Sequence, residues 1–166
     1  MKRKLFWFGL WFLGLFSIAH AQTQPEWPLY CYKKGYAFID QAVHFEQTQK
    51  PAPQQLFWIK NNSSTVIWIN HEADEISASA GWATELMPKK WTALMLDRNS
   101  FSLKCVEIKP GAEQVIDCSE VLFICRQHSI DYPTKSKGSY WAAENSTLDE
   151  VEDALHRRGI TMKKRA

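Results

Sequence analysis

Four cysteines placed behind an export signal constrain this chain more than any other feature. Lys2, Arg3 and Lys4 form a positive head, residues 5–18 an apolar run of 14, and Ala19, His20 and Ala21 an A-x-A cleavage site. A membrane-spanning helix needs about 20 apolar residues, so this shorter run reads as a signal peptide over 1–21, with the mature chain expected to start at Gln22. No later segment is apolar enough to span a bilayer, and the processed protein is expected to be periplasmic or secreted rather than membrane-spanning. In an oxidising compartment an even set of cysteines favours disulfides over free thiols.

Cys31, Cys105, Cys118 and Cys125 contain no C-x-x-C pair, which argues against a zinc knuckle and a thioredoxin-like centre. Four cysteines allow three pairings. Residues 101–108 and 115–118 read as two strands around a turn centred on Gly111 and Ala112. That register sets Cys105 opposite Cys118, where cross-strand Cβ atoms lie about 4.5–5.5 Å apart. Cys31 is then left for Cys125, joining the start of the domain to a late strand.

Composition narrows the class further. A chain of 166 residues that is 45% hydrophobic and 23% charged suits one domain with a real core, not a disordered segment. Without Lys2, Arg3 and Lys4, the 20 basic groups fall to 17 against 18 acidic ones, a formal charge of about −1. So balanced a surface argues against a nucleic-acid binder that works by neutralising phosphates.

After a leader over 22–29, short aromatic and β-branched runs recur at 36–39, 41–45, 56–59, 66–69, 91–96, 101–108 and 121–125. Turn residues punctuate them: Pro51 and Pro53, residues 61–64, Pro88, residues 97–100, and Pro110 with Gly111. Such spacing predicts an all-β fold, a disulfide-stapled β-sandwich of immunoglobulin-like or cupredoxin-like kind over 30–126. Residues 127–138 read as a linker or loop, and 139–160 as a further strand and a short helix docked on the domain. Thr147 and Glu150 fit a capping box, Leu148, Val151 and Leu155 make one apolar stripe, and Gly159 ends the helix. Residues 161–166 read as a basic tail.

The chemistry-bearing residues assemble no catalytic set. Residues 77–81 resemble the end of a nucleophile elbow, but Ser77 stands where G-x-S-x-G requires glycine, and Ser79 has no base assigned to it. His71 and Glu72 lack the second histidine of H-E-x-x-H, and the acidic residues up to Glu75 read as a solvated loop. No cofactor or metal is expected. The alternative is a copper site of the two-histidine, one-cysteine kind, built from His71, Cys125 and His128, although no methionine follows His128 at short range. Asn61 and Asn145 match the glycosylation pattern, which is common by chance. Tryptophan is the other conspicuous feature. In the strands that carry Trp58 and Trp68 one face must be core, and either the tryptophan or its neighbours could fill it, whereas Trp82, after Gly81 in a run of small residues, is the best surface candidate. Ser79, Trp82 and Trp91 therefore define the candidate partner-binding segment.

The run 70–83, Trp91 to Leu94, residues 101–107 and 110–114, and the spacing from Cys118 to Cys125 resemble the enhanced entry protein B (EnhB) family. Tyr140, Trp141, Glu144, Asn145 and residues 158–160 extend the resemblance, which covers about Leu56 to Gly159. It implies an exported protein of intracellular bacterial pathogens, linked with entry into host cells, and transfers no catalytic residue. The expectation is thus a non-enzymatic envelope or periplasmic binding or structural module, with an envelope or host protein as its partner.

Overall fold

The computed structural model describes residues 27–28, 30–46, 54–71, 83–97, 100–132 and 139–163. Strands β1 (Cys31–Tyr32), β2 (Tyr36–Ile39), β3 (Ala42–Glu46), β4 (Gln55–Asn61), β5 (Ile67–Asn70), β6 (Ala83–Leu86), β7 (Trp91–Leu96), β8 (Ser100–Lys109) and β9 (Ala112–Ile116) come first. A single turn of helix, α1 (Cys118–Val121), leads into β10 (Leu122–Gln127), β11 (Ile130–Asp131) and β12 (Tyr140–Ser146). Helix α2 (Leu148–Arg157) and β13 (Thr161–Met162) close the chain. The fold is an all-β sandwich stapled by two disulfides. One sheet has the order β1-β10-β4-β7-β12; the facing one has the order β2-β3-β8-β5-β6, with β9 paired to β8.

Alternation along the strands explains why the layers form. Phe57, Ile59, Leu94, Leu96, Leu122 and Ile124 point from the first sheet to meet Val43, Phe45, Ile67, Ile69, Phe101 and Leu103 from the second, and together they make the inter-sheet core. The intervening residues Leu56, Trp58, Trp91, Ala93, Met95 and Cys125 form a second core on the outer face. Val151 and Leu155 of α2 and Ile160 cover that face, so β4 and β7 are buried on both sides. Strands buried on both faces read as unbroken apolar runs, which is the pattern of residues 56–59 and 91–96. Each of Val151 and Leu155 contributes roughly 1.5–3 kcal/mol by burial.

Helix α2 begins and ends as its residues dictate. The Thr147 hydroxyl accepts from the Glu150 N–H at 3.4 Å, and the Glu150 carboxylate accepts from the Thr147 N–H at 2.7 Å. At the other end Gly159 takes φ +74°, donating to the His156 carbonyl at 2.8 Å, while the Ile160 N–H reaches the Leu155 carbonyl at 3.0 Å. That pair of bonds is a Schellman cap, and the buried Ile160 seals it against Leu155.

Both expected disulfides are present, Cys31 with Cys125 and Cys105 with Cys118. The second arises by a different geometry from the one the sequence suggested. Pro110 and Gly111 form the two-residue loop, Lys109 faces Ala112, and Cys105 faces Ile116. Proline cannot adopt positive φ while Gly111 sits at +78°, so the turn is fixed one position earlier than expected. The strand therefore ends at Ile116, and Asp117 caps α1 by accepting from the Ser119 N–H at 2.8 Å. This turn brings Cys118 back to Cys105, with Cα atoms 5.4 Å apart. Three further boundaries move. Trp27 and Pro28 of the expected leader pack on the domain, a strand, β6, stands at 83–86 where none was expected, and the expected linker and tail contribute β11 and β13, which pair with each other. Strand β12 is the edge of the first sheet, paired to β7, rather than an appendage to it.

Candidate functional site

The disulfide between Cys31 and Cys125 anchors the opposite edge of the first sheet. There, among the described residues, β1 pairs only with the end of β10, Cys31 facing Gln127 and Tyr32 facing Arg126. Tyr36, crossing from the second sheet, donates its hydroxyl to the Ile124 carbonyl at 2.6 Å. That bond occupies a backbone acceptor beside the short edge strand and discourages another strand from pairing there. Burial pushes the Tyr36 phenol above its ordinary pKa.

Successive side chains of an extended segment point to opposite sides, so residues 31–34 serve two hollows. Cys31 and Lys33 help to line one of about 250 Å³, together with Trp27, Pro28, Phe123 and Cys125. Tyr32 and Lys34 help to line another of about 270 Å³, with Arg126, Gln127 and His128. Neither hollow is lined by a carboxylate.

The first hollow rests on a row set by strand register, in which Phe123 of β10 faces Lys60 of β4 and Lys60 faces Trp91 of β7. Trp27 closes over this row. Its ring centroid lies 4.3 Å from that of Phe123 and 6.4 Å from that of Trp91, edge-on to both. The Lys60 ammonium is 5.3 Å from the Trp91 centroid and 5.8 Å from the Trp27 centroid, and Lys33 is 5.4 Å from Phe123. These are cation–π distances, and they lay an almost fully buried lysine against aromatic surface. Trp27 itself is 47% exposed and Tyr30 36%, so the aromatic edge is open to a partner.

The second hollow is polar and cationic. Arg126 is half-buried and lies beside Gly35, where an added Cβ would come within 3.2 Å of its Cδ and 3.3 Å of its Nη1. Gly35 also takes φ +80°, a conformation strained for any other residue. Desolvation lowers the pKa of Arg126, and no ion pair joins its guanidinium to an acid among the described residues. The His128 ring lies 5.2 Å from that of Tyr32, and the His128 backbone N–H donates to the Tyr30 carbonyl at 3.1 Å. At the back, Gln127 accepts from the buried Trp58 indole N–H at 3.0 Å.

The residues singled out from sequence are placed differently. Ser79 and Trp82 lie outside the described residues, as do Ser77, Glu72 and Glu75. Trp91 is only 3% exposed and belongs to the outer core, so it supports the aromatic row from beneath instead of meeting a partner. Of the two strand tryptophans left open, Trp58 is fully buried and Trp68 is 40% exposed. The copper alternative is corrected: the Cys125 sulfur is bonded to Cys31 and offers no thiolate. His71 directly follows β5 in the other sheet, stacked on Phe101 at 4.1 Å with its Nδ1 2.7 Å from the Ser102 carbonyl. No three His, Cys, Asp or Glu side chains are grouped to hold a metal among the described residues. Of the residues now at the site, Trp27 and Phe123 were hidden by their place in an expected leader and a core-like strand. The one available signal was the run of Lys33 and Lys34 beside a cysteine.

Comparison with protein-family models, with curated proteins and with solved structures gives no match.

Proposed function

We propose that this chain is an exported, non-enzymatic binding module of the bacterial envelope or periplasm, engaging an envelope or host protein through the β1–β10 edge. The observation that carries the reading is the Phe123, Lys60 and Trp91 row capped by a half-exposed Trp27, with the Lys33 ammonium over Phe123 beside it. Exposed tryptophan on a rigid base is the residue type that most often anchors a protein interface. The two disulfides support residence in an oxidising compartment. The resemblance to the enhanced entry protein B family adds a link with host-cell entry to the same reading.

The test is retention of envelope proteins on the immobilised, oxidised chain. Trp27→Ala is expected to abolish retention while costing no more than about 1 kcal/mol of stability, as expected for a half-exposed side chain. Val115→Lys, on the exposed β9 hairpin, is expected to leave retention unchanged. Equal retention by Trp27→Ala and the parent chain contradicts the reading.

A further inference from the structure

We propose that the hollow between β1 and β10 is a phosphate-binding pocket, in which Arg126 and Lys34 hold a dianionic phosphate group of the ligand. The inference rests on the binding-module reading and names the chemical group that this edge takes. Three observations lead to it. The lining is made of Arg126 and Lys34 with Tyr32, Gln127 and His128, and no Asp or Glu belongs to it. The Arg126 guanidinium is drawn partly out of water without an ion pair to any described acid, an arrangement that an incoming anion would complete. Its side chain is also confined, because Gly35 leaves a space that a methyl group would take from it.

Charge selects among oxyanions. A single carboxylate would neutralise only one of the two cations. A phosphate monoester carries about −1.5 to −2 at neutral pH and matches both. The planar guanidinium can give two parallel N–H bonds to phosphate oxygens, and Lys34 adds a mobile point charge at the rim. A hollow of about 270 Å³ takes the phosphate with part of the group that bears it.

Titration of the oxidised full chain with inorganic phosphate, followed by amide NMR at constant ionic strength, tests this. Saturable shifts are expected at Gly35, Arg126 and His128, with acetate giving much weaker ones at equal concentration. Arg126→Gln is expected to weaken phosphate binding by about tenfold or more. Lys34→Gln, an exposed change that does not endanger folding, is expected to weaken it in the same direction. Overturning results are shifts that do not saturate, shifts shared equally by Lys109 and Lys163, acetate as effective as phosphate, or Lys34→Gln and Arg126→Gln both binding like the parent. If phosphate fails while Trp27-dependent retention persists, the pocket is wrong and the module stands. If retention is also lost from the account, both fall.

Discussion

Asn61 shows how much one buried polar residue can organise. It is fully buried, and its amide nitrogen donates to the carbonyls of Thr65 at 2.7 Å and Leu86 at 2.9 Å. Its oxygen accepts from the Ser63 N–H at 2.8 Å and the Ser63 hydroxyl at 2.6 Å. All four hydrogen-bonding positions of the amide are used, which ties the β4–β5 turn to β6. Asn61→Ala is expected to cost at least 2–3 kcal/mol, roughly, in urea unfolding, because several backbone groups lose their partner together. The same burial takes Asn61 out of consideration as a glycosylation acceptor, although its sequence context matches. Trp58→Phe removes the buried bond to Gln127 and is expected to cost about 1–2 kcal/mol beyond lost volume; a double-mutant cycle with Gln127→Met isolates the coupling. At this scale the sequence was least informative. Trp58, Trp68 and Trp91 stand in similar surroundings in the chain, and only the layer packed outside β4 and β7 decides which are covered.

Elements with local chemistry were the most legible. The capping box, apolar stripe and terminal glycine located α2 because each acts within a few residues of chain. Thr147→Ala is expected to lower stability by about 1 kcal/mol, read as a lower midpoint of urea unfolding. The Glu150 carboxylate is held below the usual glutamate pKa first by the Thr147 N–H and then by the Thr147 hydroxyl. A depressed acid contributes stability above its unfolded pKa and loses it as pH falls through the folded value. Glu150→Gln is therefore expected to flatten the stability profile below about pH 4.3, with little change in shape above it. The 101–118 hairpin was legible in its strands and its disulfide but not in its register. Proline at position 110 moved the turn, and Asp117 supplied the helical turn that restored the cysteine pairing. Sequence spacing alone cannot distinguish a cross-strand disulfide from one reached around a cap.

The whole molecule is a sandwich with a third layer, since α2 and Ile160 cover the outer face of the first sheet. That layer explains why β4 and β7 lack the clean alternation of a half-exposed strand, and why residues 139–163 belong to the domain. The two disulfides act at different ranges, spanning 13 and 94 residues. By loop entropy the longer one contributes roughly 4–5 kcal/mol and the shorter about 3, so Cys31→Ser with Cys125→Ser is expected to give the larger loss in thermal stability. It also frees the edge that carries Trp27, so the same variant is expected to lose partner retention. The all-β class and the staples were readable from cysteines and strand spacing. The proposed binding edge was not, because it is assembled by β1, β4, β7 and β10, whose residues are far apart in the chain. The measurement that bears most directly on that edge is photo-crosslinking in intact cells, with a crosslinking residue replacing Trp27 or, as the control, Val115. The account predicts a discrete protein adduct from position 27 and none from position 115; no adduct from position 27, or the same adducts from both, would contradict it.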